Sequence, residues 1–408
     1  MQATTLVARR EQTRARYPDV EGYVEREGVR LFYEVYGQGE PTVLLLPTWS
    51  IIHSRHWKCQ IPYLARHFRV VTFDGRGNGG SGRPDRAEHY AEREFALDAL
   101  AVLDATGTES AVVAGLSLGA VWGALLAADN PERVDGAIFV APAMPLAPPH
   151  PERTVYAFDE PLDDDEGWAR YNREFWLRDY HGFVEFFFAQ CFTEPHSTKQ
   201  IEDCVGWALE TTPGTLVATA EGLRLEEQEI RALCARVRTP VLVLHGDADA
   251  VRPLAQGAAL AEATGGTLAA LGGSGHCPQA RDPVTVNLLV REFVETLRRK
   301  PPGVARWTRA RSRRRRALYV SSPIGLGHAR RDVAIARELR ELVPDLEIDW
   351  LAQHPVTRVL EAEGERIHPA SVHLANESSH IESESAEHDL HAFQAIRRMD
   401  EILVANFM

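Results

Sequence analysis

The feature that most constrains this chain is a pentapeptide, Gly115-Leu116-Ser117-Leu118-Gly119. A short apolar, β-branched run at residues 111–114 precedes it, and a stretch of small and apolar residues at 120–128 follows. The pattern predicts a strand, a tight turn with serine at its apex, and a helix, the geometry that lifts a serine hydroxyl clear of a sheet edge. Glycine is expected on both sides for a steric reason: the serine is held in a strained backbone conformation, and a side chain two residues away would collide with the neighbouring strand or helix. A glycine-bounded turn carrying a solvated serine also fits the pentapeptide alone, so the rest of the chain decides between the two.

The hydrophobic pattern around the pentapeptide alternates between two periods. Strands are expected at 22–25, 29–36, 42–46 and 68–73, then at 134–140, 240–245 and 266–271, with helices near 57–67, 90–106, 254–264 and 283–297. The run at 42–46 is continuously apolar, as in a strand buried on both faces of a parallel sheet. The alternation breaks once, over 144–235, where Trp168, Tyr171, Phe175, Trp176, Phe183, Phe187 and Phe188 are embedded in helical sequence. The fold class expected is therefore α/β: a doubly wound, mostly parallel sheet interrupted by a helical cap.

Residues 1–19 read as an N-terminal extension, 20–299 as the main domain and 300–316 as a proline- and arginine-rich linker. The seven arginines of that linker are read as solvated spacer rather than as a nucleic-acid patch. From 317 a new β-α-β unit begins with a glycine turn at 323–328, and the acidic stretch 377–387 is the one low-complexity patch. The net charge of −13 argues against general nucleic-acid binding. No run of about 20 apolar residues marks a membrane span, and the arginine-bearing N-terminus has no apolar signal core. Five scattered cysteines without C-x-x-C spacing fit reduced thiols in a cytoplasmic protein.

A serine hydroxyl needs a base, usually histidine, oriented by a carboxylate. Two later strands end in loops that could supply them: His245-Gly246-Asp247-Ala248-Asp249 after one, and Gly273-Ser274-Gly275-His276 after the next. The chain order is then Ser, Asp, His. Turn capping by either aspartate and a surface loop at His276 are the plain alternatives.

Residues 20–299 resemble the α/β-hydrolase superfamily. The resemblance rests on the pentapeptide, on Gly246-x-x-Asp249-x-x-x-Pro253, on Gly273-Ser274-Gly275-His276 and on Asp74-x-Arg76-Gly77-x-Gly79-x-Ser81-x-x-Pro84. It implies Ser117 as nucleophile, His276 as base and Asp249 as its acid, with Asp247 as the fallback. Where the family usually carries His-Gly, this chain reads Pro47-Thr48-Trp49-Ser50. Alignment then gives the backbone N–H of Trp49, paired with that of Leu118, as the oxyanion donors. A serine at this position sets the chain apart from the dehalogenases and epoxide hydrolases of the superfamily, which use aspartate.

The reaction implied is hydrolysis of an ester, lactone or thioester, without cofactor or metal. The aromatic cap suggests a small, apolar or aromatic substrate. Perhydrolase or C–C hydrolase chemistry on the same triad, a binding module with a vestigial triad, and an accessory role beside a transferase are the competing readings. The C-terminal unit resembles the start of glycosyltransferases built from two facing Rossmann domains, through Gly325-Leu326-Gly327-His328, with His328 as a candidate acceptor base. His388 and His391 are read as solvated helix residues rather than metal ligands.

Overall fold

The computed structural model describes residues 14–222, 224–298, 315–323, 326–376 and 399–408. Residues 300–314 of the linker 300–316, Ile324 and Gly325 of the glycine turn, the acidic stretch 377–387, His388 and His391 lie outside the described residues. The chain divides into two compact units, Pro18–Arg299 and a second comprising Lys300–Met408 with the N-terminal residues to Tyr17.

The first unit is built on eight strands: β1 (Val20–Arg26), β2 (Val29–Tyr36), β3 (Thr42–Leu45), β4 (Arg69–Phe73), β5 (Ala111–Leu116), β6 (Val134–Val140), β7 (Val241–Gly246) and β8 (Thr267–Leu271). They form one sheet in the order β1-β2-β4-β3-β5-β6-β7-β8. The β1–β2 and β2–β4 pairs are antiparallel, and every pair from β4 to β8 is parallel. All four residues of β3 and all six of β5 are buried, which explains their uninterrupted apolar runs. The chain leaves β3 toward β4 on one side and later returns to β5 on the other. A crevice forms at the carboxyl ends where such a sheet reverses direction.

Five α-helices (Arg173–Arg178, Tyr180–Cys191, Thr198–Ala208, Pro213–Glu221 and Glu227–Arg236) lie between β6 and β7. Trp176, Phe183 and Phe188 are buried within this insertion. The last of the five instead contributes Ile230, Leu233 and Cys234 to the core of the sheet. One expected helix differs from the expectation: residues 57–67 fold as a 3-10 turn, Ser54–Trp57, and a single helical turn, Ile61–Leu64. Pro62 has no N–H to continue a helix entering from upstream, but it fits the first turn of a new one.

The second unit holds β9 (Arg316–Ser321), β10 (Glu347–Ala352) and β11 (Arg366–Ile367), all parallel, in the order β11-β10-β9. The helices Leu326–Leu342 and Val356–Ala362 connect them. Its core gathers Val333, Ala336, Ile348, Trp350, Val356 and Leu360. This is a partial Rossmann-like arrangement. No described helix of the chain is long and apolar enough to cross a membrane.

Candidate active site

Ser117 sits between the end of β5 and the helix Leu118–Asp129, with φ 55° and ψ −113°. That is the left-handed region, costly for a residue with a Cβ. The surroundings hold it there. Its N–H donates to the Val140 carbonyl at 2.9 Å, and its own carbonyl accepts from Ala143 N at 3.1 Å. A Cβ on Gly115 would lie 2.3 Å from the Gly119 carbonyl oxygen, and one on Gly119 would lie 2.4 Å from that of Pro47. Both expected collisions are therefore present, one with the helix and one with the loop after β3.

The loops after β7 and β8 bring Asp249 and His276 together. Asp249 Oδ2 is 2.8 Å from His276 Nδ1, and both side chains are buried. The other oxygen, Oδ1, accepts from the backbone N–H groups of Val251 at 2.7 Å and Arg252 at 2.9 Å. Burial alone would raise the Asp249 pKa. The positive field of His276, the hydrogen bonds from the two histidines and the Arg252 N–H outweigh it, and the carboxyl is held well below the usual carboxylate range. A carboxylate facing Nδ1 places the imidazole proton there and leaves Nε2 as the basic nitrogen.

Asp247 does something else: it is exposed, and its Oδ1 accepts from Gly273 N at 2.6 Å. The His276 loop is fixed from the insertion, with His276 N donating to the Cys191 carbonyl at 2.9 Å and Gly275 N to Glu194 Oε1 at 2.8 Å. Among the described residues the Ser117 hydroxyl makes no hydrogen bond, so its link to His276 is open in this structure. Such contacts commonly tighten only when substrate is bound.

Ser117 opens on a cavity of about 430 Å³ whose walls include Trp49, Leu118, Tyr171 and Phe187. The Trp49 indole is fixed by a 2.8 Å hydrogen bond to Thr219 Oγ1 and packs against Trp176 and Phe187. The backbone N–H groups of Trp49 and Leu118 make no hydrogen bond among the described residues, so both remain available as donors. The Asp74–Pro84 segment has a supporting role. Arg76 is fully buried in a two-pronged pair with Asp98, at 2.7 and 2.6 Å, and Asp74 accepts from Ser54 N and Gly80 N.

Sequence reasoning missed two features. His245, fully buried at the end of β7, places Nε2 3.1 Å from Asp249 Oδ2 and 3.0 Å from the Arg252 carbonyl, a second imidazole on the same carboxylate. The other is a polar wall: Glu92, Arg153, Arg224 and Arg252 line the cavity beside Ser117. Burial raises the Glu92 pKa, partly offset by Arg224 at 3.6 Å. His245 precedes the quoted motif and Arg252 stands at one of its unspecified positions, so the motif itself gave neither a role.

Comparison with known proteins bears on the fold that carries this site. Residues 41–283, more than half of the chain, match the family model of the alpha/beta hydrolase fold. An AB hydrolase superfamily protein of Bacillus subtilis, YisY, is 27% identical over 275 residues, covering 65% of this chain and 96% of that protein. The rhodomycin D methylesterase DauP of a Streptomyces species is 40% identical over 115 residues, 27% of this chain; the chain spans only 38% of that relative's length. Among solved structures, Est816, described as an N-acyl homoserine lactone degrading enzyme, superposes with a TM-score of 0.56 at 25% identity, over 67% of this chain and all of its own. The chain belongs to the alpha/beta hydrolase fold family.

Proposed function

We propose that the unit Pro18–Arg299 is a serine hydrolase acting on a small ester, lactone or thioester. Ser117 attacks the acyl carbon while His276 Nε2 takes its proton. The tetrahedral oxyanion is held by the N–H groups of Trp49 and Leu118. The same proton passes to the departing alkoxide or thiolate as the C–O or C–S bond breaks. Water, deprotonated by His276, then attacks the acyl-enzyme and releases the carboxylic acid and Ser117. Asp249 keeps the imidazole oriented and stabilises its charged form. The observation that carries this reading is the strained Ser117 on the wall of a cavity, at the sheet edge where the Asp249–His276 pair is also found. The aromatic wall of Trp49, Phe158, Tyr171 and Phe187 supports an acyl or alcohol group with apolar or aromatic character. Relatives named as esterases and lactonases support the same class of reaction.

A fluorophosphonate probe tests the reading without knowledge of the substrate. The intact chain is expected to be labelled at Ser117, with labelling lost in Ser117→Ala and reduced at least about 10³-fold in rate in His276→Ala. A folded wild type that resists the probe overturns it, and a binding module then becomes the better account.

For the second unit, our reading is the opening β-α-β of a facing-Rossmann transferase domain. The parallel order β11-β10-β9 and the glycine-led helix Leu326–Leu342 support it. His328 is exposed at the start of that helix, where an acceptor could reach it.

A further inference from the structure

Charge inside the Ser117 cavity is not balanced. Five charged side chains line it: Glu92, Asp159, Arg153, Arg224 and Arg252. Both carboxylates are engaged. Asp159 accepts from Arg173 Nε at 2.7 Å, while Glu92 is 3.6 Å from Arg224 and accepts from Leu225 N at 2.8 Å. Arg224 also donates to the Thr219 carbonyl. Two guanidinium groups are left without a carboxylate. Arg153 donates through Nη1 to the Val251 carbonyl at 2.6 Å and lies over the Trp168 ring at 4.5 Å, yet its Nε is buried and unpaired. Among the described residues the Arg252 side chain makes no hydrogen bond or ion pair, and its Nε is likewise buried and unpaired. Burial, and then repulsion from Arg153, push the Arg252 pKa down to about 10, partly offset by Tyr171 and Asp249, so the group stays charged at neutral pH. The nearest carboxylate acting on Arg252, Asp249, is already engaged by His276 and His245. Among the described residues, two cations therefore face the same cavity with no carboxylate of their own within ion-pair distance.

Holding an unpaired cation in a partly desolvated wall costs stability, and such groups are ordinarily paired. A cavity that carries them beside its reacting serine is built for an anion. The guanidinium fork matches the two oxygens of a carboxylate, which adds direction to the attraction. The aromatic wall holds the body of the ligand, and the arginines hold one end.

We infer that the substrate carries a carboxylate in addition to the bond that is cleaved, and that Arg252 and Arg153 bind this carboxylate. The substrate class is then a half-ester of a small dicarboxylic acid, or a lactone bearing an acid group. This deepens the hydrolase reading and rests on it only for the cleavage step; the anion site stands on the cavity alone.

Two measurements separate the ideas. On Ser117→Ala protein, which does not turn over, titration calorimetry compares monomethyl glutarate with neutral dimethyl glutarate. The monoanion is expected to bind at least about 10-fold tighter, and Arg252→Met to remove that preference. Equal affinities, or no binding of either, overturn the inference. On the wild type, kcat/KM is measured for the para-nitrophenyl half-ester of glutaric acid and for its neutral isostere with a terminal isopropyl group. The ratio cancels losses common to both substrates. It is expected to favour the anion at least about 10-fold, mainly through KM, and to fall about 10- to 100-fold in Arg252→Met and in Arg153→Gln. Anion binding without turnover of either ester overturns the hydrolase reading and leaves the anion site standing. Turnover of both esters at equal rates overturns the anion site alone.

Discussion

Two places in this chain lead from a strand into a helix with a glycine in the helix's first turn. One is the junction of β5 with Leu118–Asp129; the other joins β9 to Leu326–Leu342. Their surroundings differ. β5 is buried at every position, whereas β9 alternates and leaves Leu318 59% and Val320 48% exposed. A Cβ at Gly119 would meet a backbone oxygen at 2.4 Å, while one at Gly327 would meet nothing within 4 Å. The serines differ as well. Ser117 is free at a strained apex, but Ser321 donates to the buried Asp332 at 2.7 Å and ties its strand to the following helix. A glycine pattern becomes a site only where the fold crowds the backbone and leaves the hydroxyl unused.

The largest effect expected from this contrast is at the carboxylates. Asp332 ties its helix to the strand before it, and Asp249 serves a histidine on another loop. Asp249→Asn keeps the shape but presents an amide to Nδ1, and the wrong tautomer is expected to reduce turnover of a para-nitrophenyl ester by about 10⁴. Stability should follow with a definite sign. The folded pKa of Asp249 is depressed, so its contribution is complete above the unfolded value of about 3.9 and is lost as pH falls through the folded value. In denaturant melts Asp249→Asn should therefore be destabilised at pH 7, with the gap to wild type narrowing below about pH 4. A gap that widens in acid would mean that Asp249 is not the charged partner of His276.

How much of this was legible in the sequence follows from the same contrast. The central parallel strands could be read because buried parallel strands are written as unbroken apolar runs, with β3 and β5 the purest cases, whereas the antiparallel β2 was legible from its alternation. The turn residues could be read because Ser117, Asp249 and His276 each follow one of those strands. The helix expected at 57–67 was lost to one residue, Pro62, whose missing N–H outweighed the apolar spacing around it. The polar cavity wall was not legible. Glu92, Arg153, Arg224 and Arg252 are scattered over 160 residues, and an arginine in isolation reads as a solvated surface group. Only the fold brings them to one wall. The aromatic residues pointed to an apolar ligand and gave no hint of the charges opposite.

The next effect in size comes from the crowded glycine. In Gly119→Ala the new methyl has a carbonyl oxygen of the Pro47 loop as its neighbour, and a backbone oxygen cannot rotate away. Overpacking of this kind costs about 1–3 kcal/mol. The first unit should unfold earlier in a thermal scan of the full chain. Fluorophosphonate labelling should also slow, because the displaced Pro47 loop carries the Trp49 N–H that we propose as an oxyanion donor. A variant with wild-type stability would show that the loop yields freely, and Gly119 would then say nothing about the turn.

The smallest expected effect has the opposite sign. Gly327 lies in the first turn of Leu326–Leu342, with open space where a Cβ would stand. Alanine there fits the helical backbone and mainly reduces the freedom of the unfolded chain, so Gly327→Ala should stabilise the second unit by about 0.4–1 kcal/mol. Hydrogen exchange of the β9 and β10 amides in the full chain reads this locally, because slower exchange reports the stability of that unit rather than of its neighbour. Faster exchange would mean that this turn, too, needs a bare backbone. Its glycines would then carry the same meaning as Gly115 and Gly119, and the second unit would warrant a search for the group that approaches so closely.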